Sequence, residues 1–190
     1  MRICARAAAA ARSWRRLAGG GLAALALLTQ APAPAAAAGS LVPGRGDDTT
    51  AVHAVVHRSL MSWETLDEAD FVDTAHPQMI FAYPGQRTDF AGALEVFRMW
   101  RDKFRDTRVY VHQILVDGSR FAAEYQFATT NKASGLRTVM GTVAIGEVCD
   151  GRIILLKEYT DSRVDDLQRE GKLPLDEGAE PYPSPWVAPQ

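Results

Sequence analysis

The chain predicts an α+β domain in which helices come first and a sheet follows. Three observations carry that prediction. Apolar residues recur at helical spacing between residues 49 and 105. Beyond residue 107 the pattern changes to four strand-like runs, 108–116, 120–130, 136–148 and 152–162. Short turn segments, "DG", "NKASG" and "CDG", separate those runs, so they fold back on one another as an antiparallel meander.

In chain order, "GSLVPGRGDD" (39–48) reads as a linker. Asp47, Asp48, Thr49 and Thr50 offer N-caps for a helix over 49–65. Val52, Val55, Val56, Leu60 and Trp63 form its apolar face. "DEADFVDTA" (67–75) predicts a short second helix, stopped by His76-Pro77. "MIFAYPGQRTDF" (79–90) predicts a small hairpin around Pro84-Gly85. Asp89 is placed to cap a third helix through Ala91–Arg105, with Ala93, Val96, Phe97, Trp100 and Phe104 facing inward. In the meander, Asp117-Gly118 and Asp150-Gly151 are hairpin turns. Residues 49–170 are thus one domain, long enough for its own core. Residues 171–190 carry too many prolines for regular structure and predict an extended tail.

The first 38 residues predict a secretory signal. A basic, acid-free start (Arg2, Arg6, Arg12, Arg15, Arg16) precedes an apolar stretch from Leu17 to Leu28 and small residues at Ala36 and Ala38. The apolar stretch is too short and glycine-rich to span a bilayer. Arg15-Arg16 resembles a twin-arginine export signal. Export into the periplasm or medium is therefore expected, with no membrane insertion after processing. Removing the signal takes five of 21 basic residues and none of 23 acids, leaving a formal charge of −7. Nucleic acid is excluded as a partner, because it needs a basic patch. Cys4 leaves with the signal, so the exported chain would carry Cys149 alone.

The order helix, short helix, hairpin with "YPG", helix and meander, ending in "DGRIILLKEYTD", resembles the SnoaL-like branch of the nuclear transport factor two-like superfamily. The residues that carry the resemblance are Asp150, Gly151, Arg152 and Ile153, followed by Tyr159, Thr160 and Asp161. It covers about residues 49–165. It implies a cone-shaped, half-open barrel: a curved antiparallel sheet wrapped around three N-terminal helices, with a deep apolar pocket on the concave side. Polyketide cyclases, steroid isomerases and limonene-type epoxide hydrolases share this fold, as do many non-enzymatic binding domains.

The resemblance also implies a catalytic acid at Asp161. Two departures stand against any specific reaction. Epoxide hydrolases of this fold carry an Arg-x-Asp where this chain has Ala122 and Glu124, and steroid isomerases carry an aspartate where it has Tyr83, before Pro84. Alternation puts Tyr159 and Asp161 on one face of the last strand, and Glu158 and Thr160 on the other. An acid facing an apolar cavity holds a proton near neutrality, since burial disfavours its charge. Asp161 as proton shuttle, with His112 or Glu124 as partner, is the expected catalytic group. A salt bridge at the sheet's rim is the bland alternative for Asp161, and a satisfied core position the bland one for His112. Tyr83, Tyr159, Trp63 and Trp100 are the expected ligand-binding residues. His53 and His57 have the helical spacing of a metal pair but no third ligand nearby, so neither metal nor cofactor is expected. The expected function is binding of a small, largely apolar molecule by a homodimer packed through its sheet. It comes either with cofactor-free acid–base chemistry (isomerisation, cyclisation, dehydration or hydration) or as a non-catalytic carrier of the cell envelope. An outward-pointing Asp161 would favour the carrier.

Overall fold

Helices and strands follow in the expected order in the computed structural model, which describes residues 46–181. The expected signal and its expected cleavage, Cys4, the expected linker before residue 46 and the expected tail from residue 182 lie outside the described residues. The elements are α1 (Gly46–Thr65), α2 (Glu68–Thr74), β1 (Ala75–Tyr83), β2 (Gln86–Asp89), α3 (Phe90–Lys103), β3 (Phe104–Asp117), β4 (Arg120–Asn131), β5 (Arg137–Cys149), β6 (Arg152–Thr160) and α4 (Ser162–Arg169). Local chemistry sets the joints. Leu66 takes a left-handed φ of 55° at the end of α1, and its N–H donates to the Ser62 carbonyl at 2.8 Å. The Asp67 side chain then accepts from the Ala69 N–H at 2.8 Å and starts α2. Asp89 caps α3 as expected, accepting from the Gly92 N–H at 3.1 Å.

The sheet runs β2-β1-β6-β5-β4-β3 and stays open, with β2 and β3 at its edges. Strands β3 to β6 are the antiparallel meander; β1 adds to β6 in parallel, which makes the sheet mixed. Asp150 and Gly151 both have positive φ, 49° and 73°, as a two-residue type I′ turn requires. The three N-terminal helices cover the concave face. Val52, Val56, Leu60 and Trp63 of α1, Phe71 of α2 and Phe97 of α3 form one core with Phe121, Ala123, Tyr125 and Phe127 of β4. Gly146 on β5 lets that core close, since a Cβ there would lie 2.5 Å from the Phe121 ring and 2.2 Å from the Leu155 carbonyl.

Two bulges decide which side chains face inward. In β3 the pairing steps from Val111↔Tyr125 to Gln113↔Glu124, leaving His112 as the extra residue. Val109 and Val111 pack on the core before it, Ile114 and Val116 after it, so the inward parity changes from odd to even. In β6 the pairing steps from Val148↔Ile153 to Glu147↔Leu155, leaving Ile154 extra. Ile153 faces the core before that bulge and Leu156 after it. Everything C-terminal to Ile154 is therefore reversed relative to plain alternation from Ile153.

The last strand ends sooner than expected. The run to residue 162 is strand only to Thr160, and α4 follows in a stretch of the domain for which no helix was expected. Its place is set by an open edge. Pairing of β5 with β6 begins at Thr142↔Thr160, so the Val139 N–H has no strand partner on that side. Gln168 of α4 supplies the acceptor, its Oε1 2.8 Å from the Val139 nitrogen. The described part of the tail then lies against the outer face of the sheet. Gln126 donates to the Ala179 carbonyl at 2.7 Å, the Tyr110 hydroxyl donates to Glu180 at 3.1 Å, and Arg137 Nε donates to Glu180 at 2.8 Å.

Candidate functional site

A cavity of about 200 Å³ opens between the helices and the concave face of the sheet. Helices α1 and α3 contribute Leu60, Trp63, Val96, Met99 and Trp100 to its wall. The sheet contributes Phe81, Tyr83, Val109, Tyr125, Phe127, Met140 and Thr142, and Glu158 and Thr160 from β6. The unexpected helix α4 completes it with Ser162, Asp165 and Arg169. Most of this wall is aromatic or aliphatic, as in sites that bury an apolar ligand body and orient it with a few polar groups. Edge-to-face and tilted ring contacts hold the aromatic part rigid: Trp63 lies 5.0 Å from Phe97 and 6.5 Å from Trp100, and Tyr83 lies 5.1 Å from Phe81.

Besides the hydroxyls of Thr142, Thr160 and Ser162, two ionisable groupings break the apolar wall. The first is Glu158, whose Oε1 accepts a 2.7 Å hydrogen bond from the Tyr125 hydroxyl. Burial pushes the Glu158 carboxyl above the ordinary glutamate range, and the Tyr125 hydrogen bond pulls the other way without cancelling it. Burial, then the charge and hydrogen bond of Glu158, raises the Tyr125 phenol well above its ordinary value, so it stays protonated. The second group is on α4, one turn apart: Arg169 Nη2 meets Asp165 Oδ2 at 2.8 Å. The Arg169 guanidinium also lies over the rings of Phe104 and Trp100, 4.7 and 5.6 Å from their centroids.

The structure divides the expected site residues between the two faces of the sheet. Trp63, Trp100 and Tyr83 line the cavity. Tyr159 does not; it is 60% exposed on the outer face. Asp161 does not face the cavity either. It is exposed, and its side chain caps α4 by accepting from the Val164 N–H at 3.1 Å. The bulge at Ile154 sends 156, 158 and 160 inward and 157 and 159 outward, which places Tyr159; Asp161 lies past the end of the strand, where it caps α4. His112 and Glu124 do come together, with Nδ1 3.9 Å from Oε1, but outside the cavity. Glu124 accepts there from Gln113 at 2.9 Å. The expected face of Tyr110, His112 and Ile114 is also broken, because the extra residue at His112 turns Ile114 to the core. His53 and His57 stack exposed on α1, ring centroids 6.5 Å apart. Sequence reasoning missed Glu158, Tyr125, Asp165 and Arg169. For Glu158 the signal was present in the alternation, which put it opposite Tyr159 and Asp161, but the sign of the face was not.

The comparisons with known proteins agree with this architecture. A family model described as a SnoaL-like domain matches residues 56–156, more than half of the chain. None of the curated proteins compared with the chain matches it. Among solved structures, an epoxide hydrolase of the LEH-like type from M. tuberculosis is 21% identical. It superposes with a TM-score of 0.57 over 63% of this chain and 90% of its own. A Jannaschia sp. CCS1 protein assigned as a SnoaL-like polyketide cyclase is 15% identical, with a TM-score of 0.60 over 70% of this chain and 99% of its own. A Catenulispora acidiphila protein with a ketosteroid isomerase-like fold, solved in complex with trimethylamine, is 9% identical, with a TM-score of 0.51 over 55% and 83%. At these identities the likeness shows the fold alone.

Proposed function

The chain belongs to the SnoaL-like domain family, and from that premise we propose that it binds a small, largely apolar molecule in the cavity and moves a proton on it with Glu158, without a cofactor. The observation that carries this reading is the half-buried Glu158 carboxyl on a mostly apolar wall, hydrogen-bonded to Tyr125 at 2.7 Å. The argument made for Asp161 from the sequence transfers to Glu158, because it required only an acid desolvated against an apolar cavity. With its affinity for protons raised by burial, Glu158 gives one up to a ligand or takes one from it. Tyr125 holds the carboxyl in place and returns as its hydrogen-bond donor whenever it is ionised. The reactions open to such a group are isomerisation, cyclisation, dehydration and hydration.

The second reading, a non-catalytic carrier of the cell envelope, is favoured by the outward-pointing Asp161, which caps α4 instead of facing the cavity, and by two further observations. The other acid in the cavity, Asp165, is tied to Arg169, and the expected partners His112 and Glu124 lie outside the cavity. In both readings the Arg-rich leader supports export. Exposed Leu115, Val143, Ile145 and Tyr159 on the outer face support a homodimer packed through the sheet. Glu158→Gln decides between the readings. It keeps the shape and removes the titrating proton, so turnover falls about 10²–10⁴-fold with binding retained if Glu158 moves the proton. Equal turnover in the variant sinks the proton role, and binding without turnover in either form leaves the carrier.

A further inference from the structure

Among the described residues, three buried polar atoms of the helices that line the cavity have no hydrogen-bond partner: Trp100 Nε1, Arg169 Nε and Asp165 Oδ1; Thr142 Oγ1, on the sheet side of the wall, is a fourth. All three residues line the cavity, on helices α3 and α4. They form one group, since Arg169 pairs with Asp165 through the other oxygen, Oδ2, at 2.8 Å and stacks over Trp100. Burying polar atoms without partners is costly, and such atoms in a cavity wall mark where a ligand's own polar group belongs. The chemistry of the trio is specific. Trp100 and Arg169 offer two N–H donors, and Asp165 offers one acceptor.

We propose that this trio is a subsite for a single hydroxyl group, so that the cavity selects an uncharged apolar molecule carrying an alcohol, enol or phenol. The proposal rests on reading the cavity as a binding site and adds the class of ligand. A hydroxyl oxygen has two lone pairs and one proton, which answer two donors and one acceptor. The alternatives each leave an atom unserved. A ketone accepts from Trp100 and Arg169 but gives Asp165 Oδ1 nothing. A carboxylate meets the Asp165 charge, and an ammonium meets the Arg169 charge and leaves both N–H groups unpaired. The Asp165–Arg169 pair cancels its own charge, so the subsite as a whole favours a neutral group. Glu158, on the sheet, is left free to act on another part of the same ligand.

The test uses the full chain and three probes on one skeleton at neutral pH: 2-naphthol, 2-methoxynaphthalene and 2-methylnaphthalene. Binding is read by tryptophan fluorescence or calorimetry. The first probe donates and accepts, the second only accepts, and the third does neither. In the native chain, 2-naphthol should bind tighter than 2-methoxynaphthalene. Its advantage over 2-methylnaphthalene should shrink roughly tenfold in Trp100→Phe, the scale of one hydrogen bond at a desolvated site. Trp100→Phe keeps a ring for Arg169 to stack on. The probe comparison in the native chain stands even if that variant folds poorly. If 2-methoxynaphthalene binds as tightly as 2-naphthol, or the advantage survives Trp100→Phe unchanged, the hydroxyl subsite is wrong while the cavity still binds ligands. If none of the three probes binds, the cavity reading falls and takes the subsite with it.

Discussion

The two faces of the sheet are built by the same strands, yet they have become different solvents. The concave face holds Glu158 against Tyr125, Phe127 and Trp63, where water is scarce and a carboxyl keeps its proton more tightly. The outer face holds Glu124 beside His112 and Gln113, together with exposed Leu115, Val143, Ile145 and Tyr159. Each face thus carries an acid with a hydrogen-bonding neighbour. What separates them is the medium: only the inner acid sits on the wall of a cavity that a small molecule can enter. Neighbouring residues on β6 illustrate how narrow the choice is, since Glu158 lines the cavity and Tyr159 is 60% exposed. One residue of register exchanges the roles.

The sharpest way to break this comparison is to neutralise the acids of both faces in parallel. Glu158→Gln is expected to lower turnover by about 10²–10⁴-fold, while Glu124→Gln and His112→Asn leave it unchanged. Steady-state rates on any turned-over ligand check this. A comparable loss from either outer-face variant would mean that the chemistry lies on the wrong side of the sheet for our reading.

A smaller effect tests how tightly the concave face is packed. Gly146→Ala puts a methyl into the Phe121 ring and the Leu155 carbonyl and should cost about 1–3 kcal/mol in chemical denaturation, as overpacking does. Outer-face Tyr159→Ser should stay within about 0.5 kcal/mol. Equal losses at the two positions would contradict the inward placement of Gly146.

The two faces should also respond to pH in opposite directions. Burial raises the pKa of Glu158, so its contribution to stability is full below the ordinary glutamate pKa and is lost as pH rises through the raised value. Glu180, on the outer face, has its pKa lowered, first by the Arg137 hydrogen bond. Its contribution is present above the ordinary glutamate pKa and is lost as pH falls through the lowered value. Glu158→Gln should therefore flatten the alkaline side of the stability profile, and Glu180→Gln the acid side. Thermal melts across the pH range read both, and exchanged effects would refute the assignment.

The smallest effect concerns Asp161. Asp161→Ala removes the cap of α4 and should cost about 1 kcal/mol. Asp161→Asn, which caps as well, should cost close to nothing, and neither should change turnover. A steep loss of turnover in Asp161→Asn with stability intact would return the catalytic role to Asp161.

The sequence by itself determined the element order as far as β6, the cap at Asp89, the Asp150-Gly151 turn and three of the cavity's aromatics, Tyr83, Trp63 and Trp100. Each of these rests on neighbours within a few residues or on a helical period, so local spacing suffices to read it. Only the tertiary structure decided which acid of β6 and its end faces the cavity. The run Ile153–Leu156 is apolar throughout, so it carries no alternation, and the bulge hidden inside it at Ile154 leaves no trace in composition. The bulge at His112 is equally silent. Helix α4 was legible only in part: Asp161 is a fair N-cap, but "DSRVDDLQR" is too polar to announce a buried face. It becomes a wall of the cavity because β5 outruns β6 and leaves the Val139 N–H needing an acceptor, which Gln168 supplies at 2.8 Å. Both decisions belong to strand pairing between residues distant in the chain, where an unpaired backbone group or one extra residue reassigns every side chain beyond it.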